Sequence, residues 1–207
     1  FQNPGLDGFR ASLGTLRHRV PLIVSVAGES VEEYVTLVRE LAPLGDLVEF
    51  NISSPNTRLV YAWSTKPREL VALLRAVRAA TPKPLIVKLS PDFAEANEQQ
   101  IIPAALEAGV RIVNYGNARR VDEPRLSQRA GGLSGPEIFP ATLENLRRTR
   151  GRFGSEIEII ATGGVDSPEK AAQLLQEGAN AVGYFTGFIT RGPILAHRIL
   201  ERLLAGR

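Results

Sequence analysis

Short runs rich in β-branched and other apolar residues recur along the chain, at 22–26, 47–52, 85–89, 110–115, 157–162 and 181–186. Their length and composition predict strands. Between them, apolar residues return at helical spacing: Val31, Tyr34, Val35, Val38 and Leu41, then Leu70, Leu73, Leu74 and Val77, then Ala171, Leu174 and Leu175. A last helix is predicted at about 194–204, with Ile194, Leu195, Ile199 and Leu203. A first is predicted near 6–18, with Leu6, Phe9, Leu13 and Leu16 on one face. The strands recur every 25–40 residues or so, which is the length of a βα unit. Their fully apolar character predicts a parallel sheet covered on one face by helices.

The stops agree with this rhythm. Gly28, Gly45, Gly109 and Gly178 fall at predicted element ends, where a left-handed cap requires a residue without Cβ. Ser167-Pro168-Glu169 reads as an N-cap with proline at the first helical position, and Glu177-Gly178-Ala179 closes that helix. Residues 117–135, Arg-rich and with Pro124, form the one long loop predicted, a candidate lid. The chain shows no internal repeat beyond the βα rhythm and no interdomain linker, so 1–207 is expected to be one α/β domain. Six βα units suit either an incomplete eight-unit barrel or an open doubly wound sheet, and spacing alone leaves both open.

Composition narrows the function. The chain has 207 residues, enough for a substantial core. Its net charge is +3, basic and acidic residues are interspersed, and aromatics are 6%. No basic stripe points to nucleic acid. Cysteine is absent, which excludes disulfides and thiolate metal sites. No run is apolar for long enough to span a bilayer, and no signal peptide opens the chain, so a cytoplasmic location is expected. Methionine is absent even at position 1, so residue 1 is not expected to be the gene's start.

Polar groups collect at the carboxyl ends of the predicted strands, where parallel α/β folds hold their sites. The richest cluster is Asn51-Ile52-Ser53-Ser54-Pro55-Asn56-Thr57, with more hydrogen-bonding groups than a plain turn needs. It suits a small ligand bearing several carbonyl and N–H groups. Lys88 sits inside the apolar run Leu85–Leu89. An amine there is costly unless paired or facing a polar cavity. It is expected to contact an anion or cofactor or to act as a Schiff-base nucleophile, unless it is an edge lysine reaching solvent. Gly163-Gly164 and Thr186-Gly187 each end a strand before a helix. Backbone N–H groups there could cradle a phosphate, although ordinary βα turns also use glycine. Gly131-Gly132-Leu133-Ser134-Gly135 leads toward a helix near 140–150. His18 and His197 fall in predicted helices away from the Ser-rich turn, so neither a Ser-His-Asp triad nor a histidine metal site is expected.

In order, Ser25-Val26-Ala27-Gly28, the 51–57 cluster, Val87-Lys88-Leu89-Ser90-Pro91, Gly131–Gly135, Ala161-Thr162-Gly163-Gly164 and Phe185-Thr186-Gly187 resemble the motifs of the dihydroorotate dehydrogenases. The resemblance runs over essentially the whole chain. It implies a (β/α)8 barrel that binds FMN and oxidises dihydroorotate to orotate in pyrimidine synthesis. Ser54 would take a proton from substrate C5 while hydride passes from C6 to FMN. Asn51 and Asn56 would hydrogen-bond the substrate ring. A further substrate Asn is implied near the fourth strand, and gapless counting favours Asn117 over Asn114. Ser25 and Lys88 would contact the flavin, and Gly135, Gly164, Phe185 and Thr186 would hold its phosphate and ribityl chain. No metal and no nucleic acid are implied, and soluble members of the family are commonly dimers.

Two departures sharpen the expectation. Soluble members usually carry cysteine at the base position and quinone-linked ones serine. Here Ser54 is combined with Ser25-Val26-Ala27-Gly28, which looks like the soluble class. A hydroxyl is a far poorer base than a thiol with a pKa of about 8.5, so a proton relay is expected. The family's first two strands, with an A-x-G flavin segment and an N-x-x-G-L substrate segment, have no counterpart here. The natural protein is therefore expected to be longer by about 100 residues. The competing expectations are a Schiff-base lyase or aldolase that uses Lys88, and a truncated, non-catalytic barrel.

Overall fold

The computed structural model describes residues 4–15, 19–53, 63, 66–90, 95–127 and 129–205. Helix α1 (Gly5–Thr15) precedes strand β1 (Ile23–Val26), α2 (Val31–Leu41), β2 (Leu47–Asn51), α3 (Pro67–Ala80), β3 (Leu85–Leu89), α4 (Glu95–Glu107) and β4 (Ile112–Tyr115). Strands β5 (Arg119–Asp122) and β6 (Ala130–Leu133) follow. The chain then runs through α5 (Phe139–Phe153), β7 (Glu158–Thr162), α6 (Pro168–Gln176), β8 (Ala181–Gly183), α7 (Thr186–Arg191) and α8 (Ile194–Ala205).

Six strands pair in parallel in the order β1-β2-β3-β4-β7-β8. A doubly wound sheet reverses its strand order at a switch point, and this sheet does not. It curls with its helices outside, as part of a (β/α)8 barrel. Side chains alternate across it. Val24, Val48, Phe50, Val87, Leu89, Val113, Tyr115, Ile159 and Ala161 join the helices in the apolar core. The intervening positions Ser25, Glu49, Asn51, Lys88, Asn114 and Thr162 face the concave side. Neighbouring strands hold Asn51 level with Lys88, and Lys88 level with Asn114.

Local signals explain the helix starts. Ser30 accepts from the N–H of Glu33 at α2, and Ser167 accepts from that of Lys170 at α6, where Pro168 takes the first turn. Gly109 and Gly178 take left-handed φ values of +77° and +100°. Gly28 and Gly45 do not. Gly45 is instead a close-packing position, because a Cβ there would lie 2.5 Å from Val24 Cγ2.

The expected loop at 117–135 contains the antiparallel pair β5–β6. Neither strand carries the apolar alternation that marks a half-buried strand; Arg119-Arg120-Val121-Asp122 and Ala130-Gly131-Gly132-Leu133 are held by backbone pairing. The last strand is shorter than its apolar run, since Thr186 already starts α7. No helix among the described residues is long and apolar enough to cross a membrane.

Candidate active site

A cavity of about 480 Å³ opens at the carboxyl ends of β2, β3, β4, β7 and β8. Asn51, Lys88, Asn117, Gly135, Gly164, Phe185 and Thr186 all line it, which brings together expected site residues from widely separated parts of the chain. Ser54 and Asn56 lie outside the described residues, as does His18. His197 sits on the exposed face of α8 beside Glu201, at 3.0 Å. Ser25 is not among the lining residues; its hydroxyl donates to Glu49 Oε1 at 2.9 Å.

One wall is a polar lattice at the end of β2. Asn117 Nδ2 donates to Asn51 Oδ1 at 3.0 Å and to Ser53 Oγ at 2.6 Å. Ser53 is fully buried, and its hydroxyl donates to the carbonyl of Lys88 at 2.9 Å. Tyr34, on α2, donates its hydroxyl to the carbonyl of Asn51 at 2.9 Å. Burial, with a smaller contribution from the charge of Glu33, pushes that hydroxyl up to about 12. Tyr34 therefore acts as a neutral donor that pins the strand end. Asn114 faces a different partner: its Nδ2 donates to Glu49 Oε2 at 2.5 Å, and it does not line the cavity. Of the two asparagines weighed from the sequence, the cavity wall holds Asn117.

Glu49 is the residue that sequence reasoning passed over. It is only 5% exposed and ion-pairs with Lys88 at 3.4 Å. The signal was present: a carboxylate in an apolar strand, two positions before Asn51 and so on the same face, makes the same demand as Lys88.

The opposite wall is built from glycines at the ends of β7 and β8. Gly164 has φ +71°, and a Cβ there would lie 2.5 Å from the backbone nitrogen of Phe139. A Cβ on Gly187 would meet the carbonyl of Val165 at 2.3 Å. Each glycine is therefore required by backbone packed against it, and both line the cavity with no side chain of their own. Thr186 Oγ1 donates to Ser134 Oγ at 2.9 Å, linking the loop after β8 to the Gly131–Gly135 segment. Asp166 binds Lys170 at 2.7 Å and Arg191 at 3.3 Å, while Lys170 also donates to the carbonyl of Gly164. The hydrogen bond from Lys170 leads, against some burial, in holding the Asp166 carboxyl below its ordinary value, and that from Arg191 adds to it.

The family model described as dihydroorotate dehydrogenase matches residues 1–206. A dihydroorotate dehydrogenase (quinone) of Rhodococcus opacus is 32% identical over 98% of this chain and 61% of its own length. One of Thermus thermophilus is 33% identical over 99% of this chain and 62% of its own. A dihydroorotate dehydrogenase A (fumarate) of Lactiplantibacillus plantarum is 35% identical over 87% of this chain and 63% of its own. The chain thus spans somewhat over 60% of the length of these relatives. The crystal structure of ligand-free DHODH from Eimeria tenella shares the fold, with a TM-score of 0.86 at 23% identity over 99% of this chain and 67% of that one. The match over nearly the whole chain, together with the cavity at the carboxyl ends of a partial barrel, assigns the chain to the dihydroorotate dehydrogenase family.

Proposed function

We propose that the protein to which this chain belongs oxidises dihydroorotate to orotate with FMN as cofactor. One observation carries the reading: a single cavity joins a hydrogen-bonding wall of Asn51, Asn117 and Lys88 to a glycine-lined wall at Gly164 and Gly187. The first suits a small heterocycle rich in carbonyl and N–H groups, and the second an anionic phosphate. A volume of about 480 Å³ lies in the range of cofactor and ligand sites.

The residues present fit FMN. Gly135, Gly164, Phe185 and Thr186 would hold its phosphate and ribityl chain, and Lys88 would contact its ring. Bound FMN supplies the two-electron acceptor. The chain's own residues do the rest. Asn51, Asn56 and Asn117 orient the substrate ring, and Ser54 takes the C5 proton. The lattice of Asn117, Asn51 and Ser53 fixes the end of β2, so that this wall is set before substrate arrives. A serine hydroxyl needs a relay to pass its proton on, because its own basicity is low.

The test is Ser54→Ala in the FMN-loaded protein. The expected result is loss of dihydroorotate turnover with FMN still bound. Turnover equal to that of the parent would remove Ser54 from the reaction. Fumarate, NAD and a quinone analogue, supplied in turn to the parent, identify the electron acceptor.

A further inference from the structure

Glu49 lies next to the cavity rather than in its wall, held by groups from three other strands. Ser25 on β1 donates to Oε1 at 2.9 Å, Asn114 on β4 donates to Oε2 at 2.5 Å, and Lys88 on β3 lies 3.4 Å from Oε1. Both carboxylate oxygens are engaged, so the group is fixed in place. Asn114 commits its amide to this arrangement: its Oδ1 is buried without a hydrogen-bond partner among the described residues, while its Nδ2 serves Glu49. Satisfying the carboxylate decides the orientation of its neighbours.

We infer that Glu49 is a positioning residue for Lys88, anchoring its ammonium at the cavity and offsetting its charge, and thereby setting how readily a bound flavin takes up electrons. This rests on the FMN reading above. The argument is electrostatic. An ammonium has three donors, so one directed at Glu49 leaves two for the cavity. Lys88 alone would present a full positive charge to a ligand there. With the carboxylate 3.4 Å behind it, the pair presents far less, and in a poorly solvated wall that difference is felt strongly. Removing the negative charge while keeping Lys88 in place makes the site more positive, and a more positive site favours electron uptake.

Glu49→Gln makes that change. Glutamine has the same shape: with its oxygen in the place of Oε1 it keeps an acceptor for Ser25 and Lys88, and its amide then donates to Asn114 Oδ1 once that side chain turns over. The midpoint potential of the FMN-loaded protein is measured by reduction against a dye of known potential, beside the FMN affinity of the apoprotein. The expected result in E49Q is an upward shift of at least tenfold in the ratio of reduced to oxidised flavin, about 30 mV for a two-electron couple. Glu49→Asp retains the charge and should return the potential toward the parent value. Should E49Q fail to fold, Glu49→Met combined with Ser25→Ala makes the same charge change while leaving fewer donors without a partner, and the same upward shift is expected. An unchanged or lowered potential with FMN bound overturns the inference and leaves the functional reading standing. A parent protein that takes up no FMN overturns both.

Discussion

Asn117 joins Asn51 of the cavity wall to the buried Ser53 through a single nitrogen, and it reaches them from beyond the end of another strand. Replacing it with alanine leaves Asn51 Oδ1 and Ser53 Oγ each without that donor. Losses of this kind cost about 1–3 kcal/mol. Steady-state kinetics of Asn117→Ala should show kcat/KM for dihydroorotate lower by roughly tenfold to a hundredfold. Parent-like kinetics would mean that Asn117 only lines the cavity. Tyr34→Phe tests the anchor behind the same strand. It removes one hydrogen bond to the Asn51 carbonyl and should lower stability by about 1 kcal/mol in a denaturant titration. At Gly164 two constraints coincide, a left-handed φ and backbone contact with Phe139. Gly164→Ala should therefore weaken FMN retention and destabilise the fold, by about 1–3 kcal/mol for the strained backbone alone. A thermal melt and a flavin fluorescence titration read the two effects separately.

At the scale of elements, the salient device is the tie between the loop after β7 and helix α7. Asp166 receives Lys170 from α6 and Arg191 from α7, so one carboxylate fastens both glycine-bearing loops. The fold favours its ionised form. The stability it contributes is therefore fully present above the ordinary carboxylate value and is lost as pH falls through the lower, folded-state value. Asp166→Asn should lose stability near neutral pH and flatten the acid limb of the stability curve below about pH 4. Melts between neutral pH and pH 3 would show a limb as steep as the parent's if the tie were not formed.

Much of this was legible in the sequence, because burial on one face writes a strong pattern. The six sheet strands, the capped start of α6 and the polar end of β2 follow from apolar runs, Ser167-Pro168 and Asn51-Ile52-Ser53. The β5–β6 pair left no such trace, since polar and glycine residues held by backbone bonds have no periodicity to read. Glu49 and the Asp166 tie escaped for another reason. Their partners are distant in sequence or across a turn, and only the register of the sheet brings Ser25, Glu49, Lys88 and Asn114 together. Ser25 is brought by the same register to donate its hydroxyl to Glu49.

For the molecule as a whole, the curled sheet gathers five strand ends around one cavity, and the family match accounts for nearly every residue of the chain. The polar wall and the glycine wall face the same space, and this is the geometric basis of our proposal that it takes a heterocyclic substrate beside a phosphate-bearing cofactor. The measurement that tests this most directly is a flavin absorbance spectrum of the FMN-loaded protein during anaerobic titration with dihydroorotate. The account predicts a yellow protein whose flavin absorbance bleaches as substrate is added. A protein that stays colourless after reconstitution with FMN, or a bound flavin that dihydroorotate leaves oxidised, would contradict it.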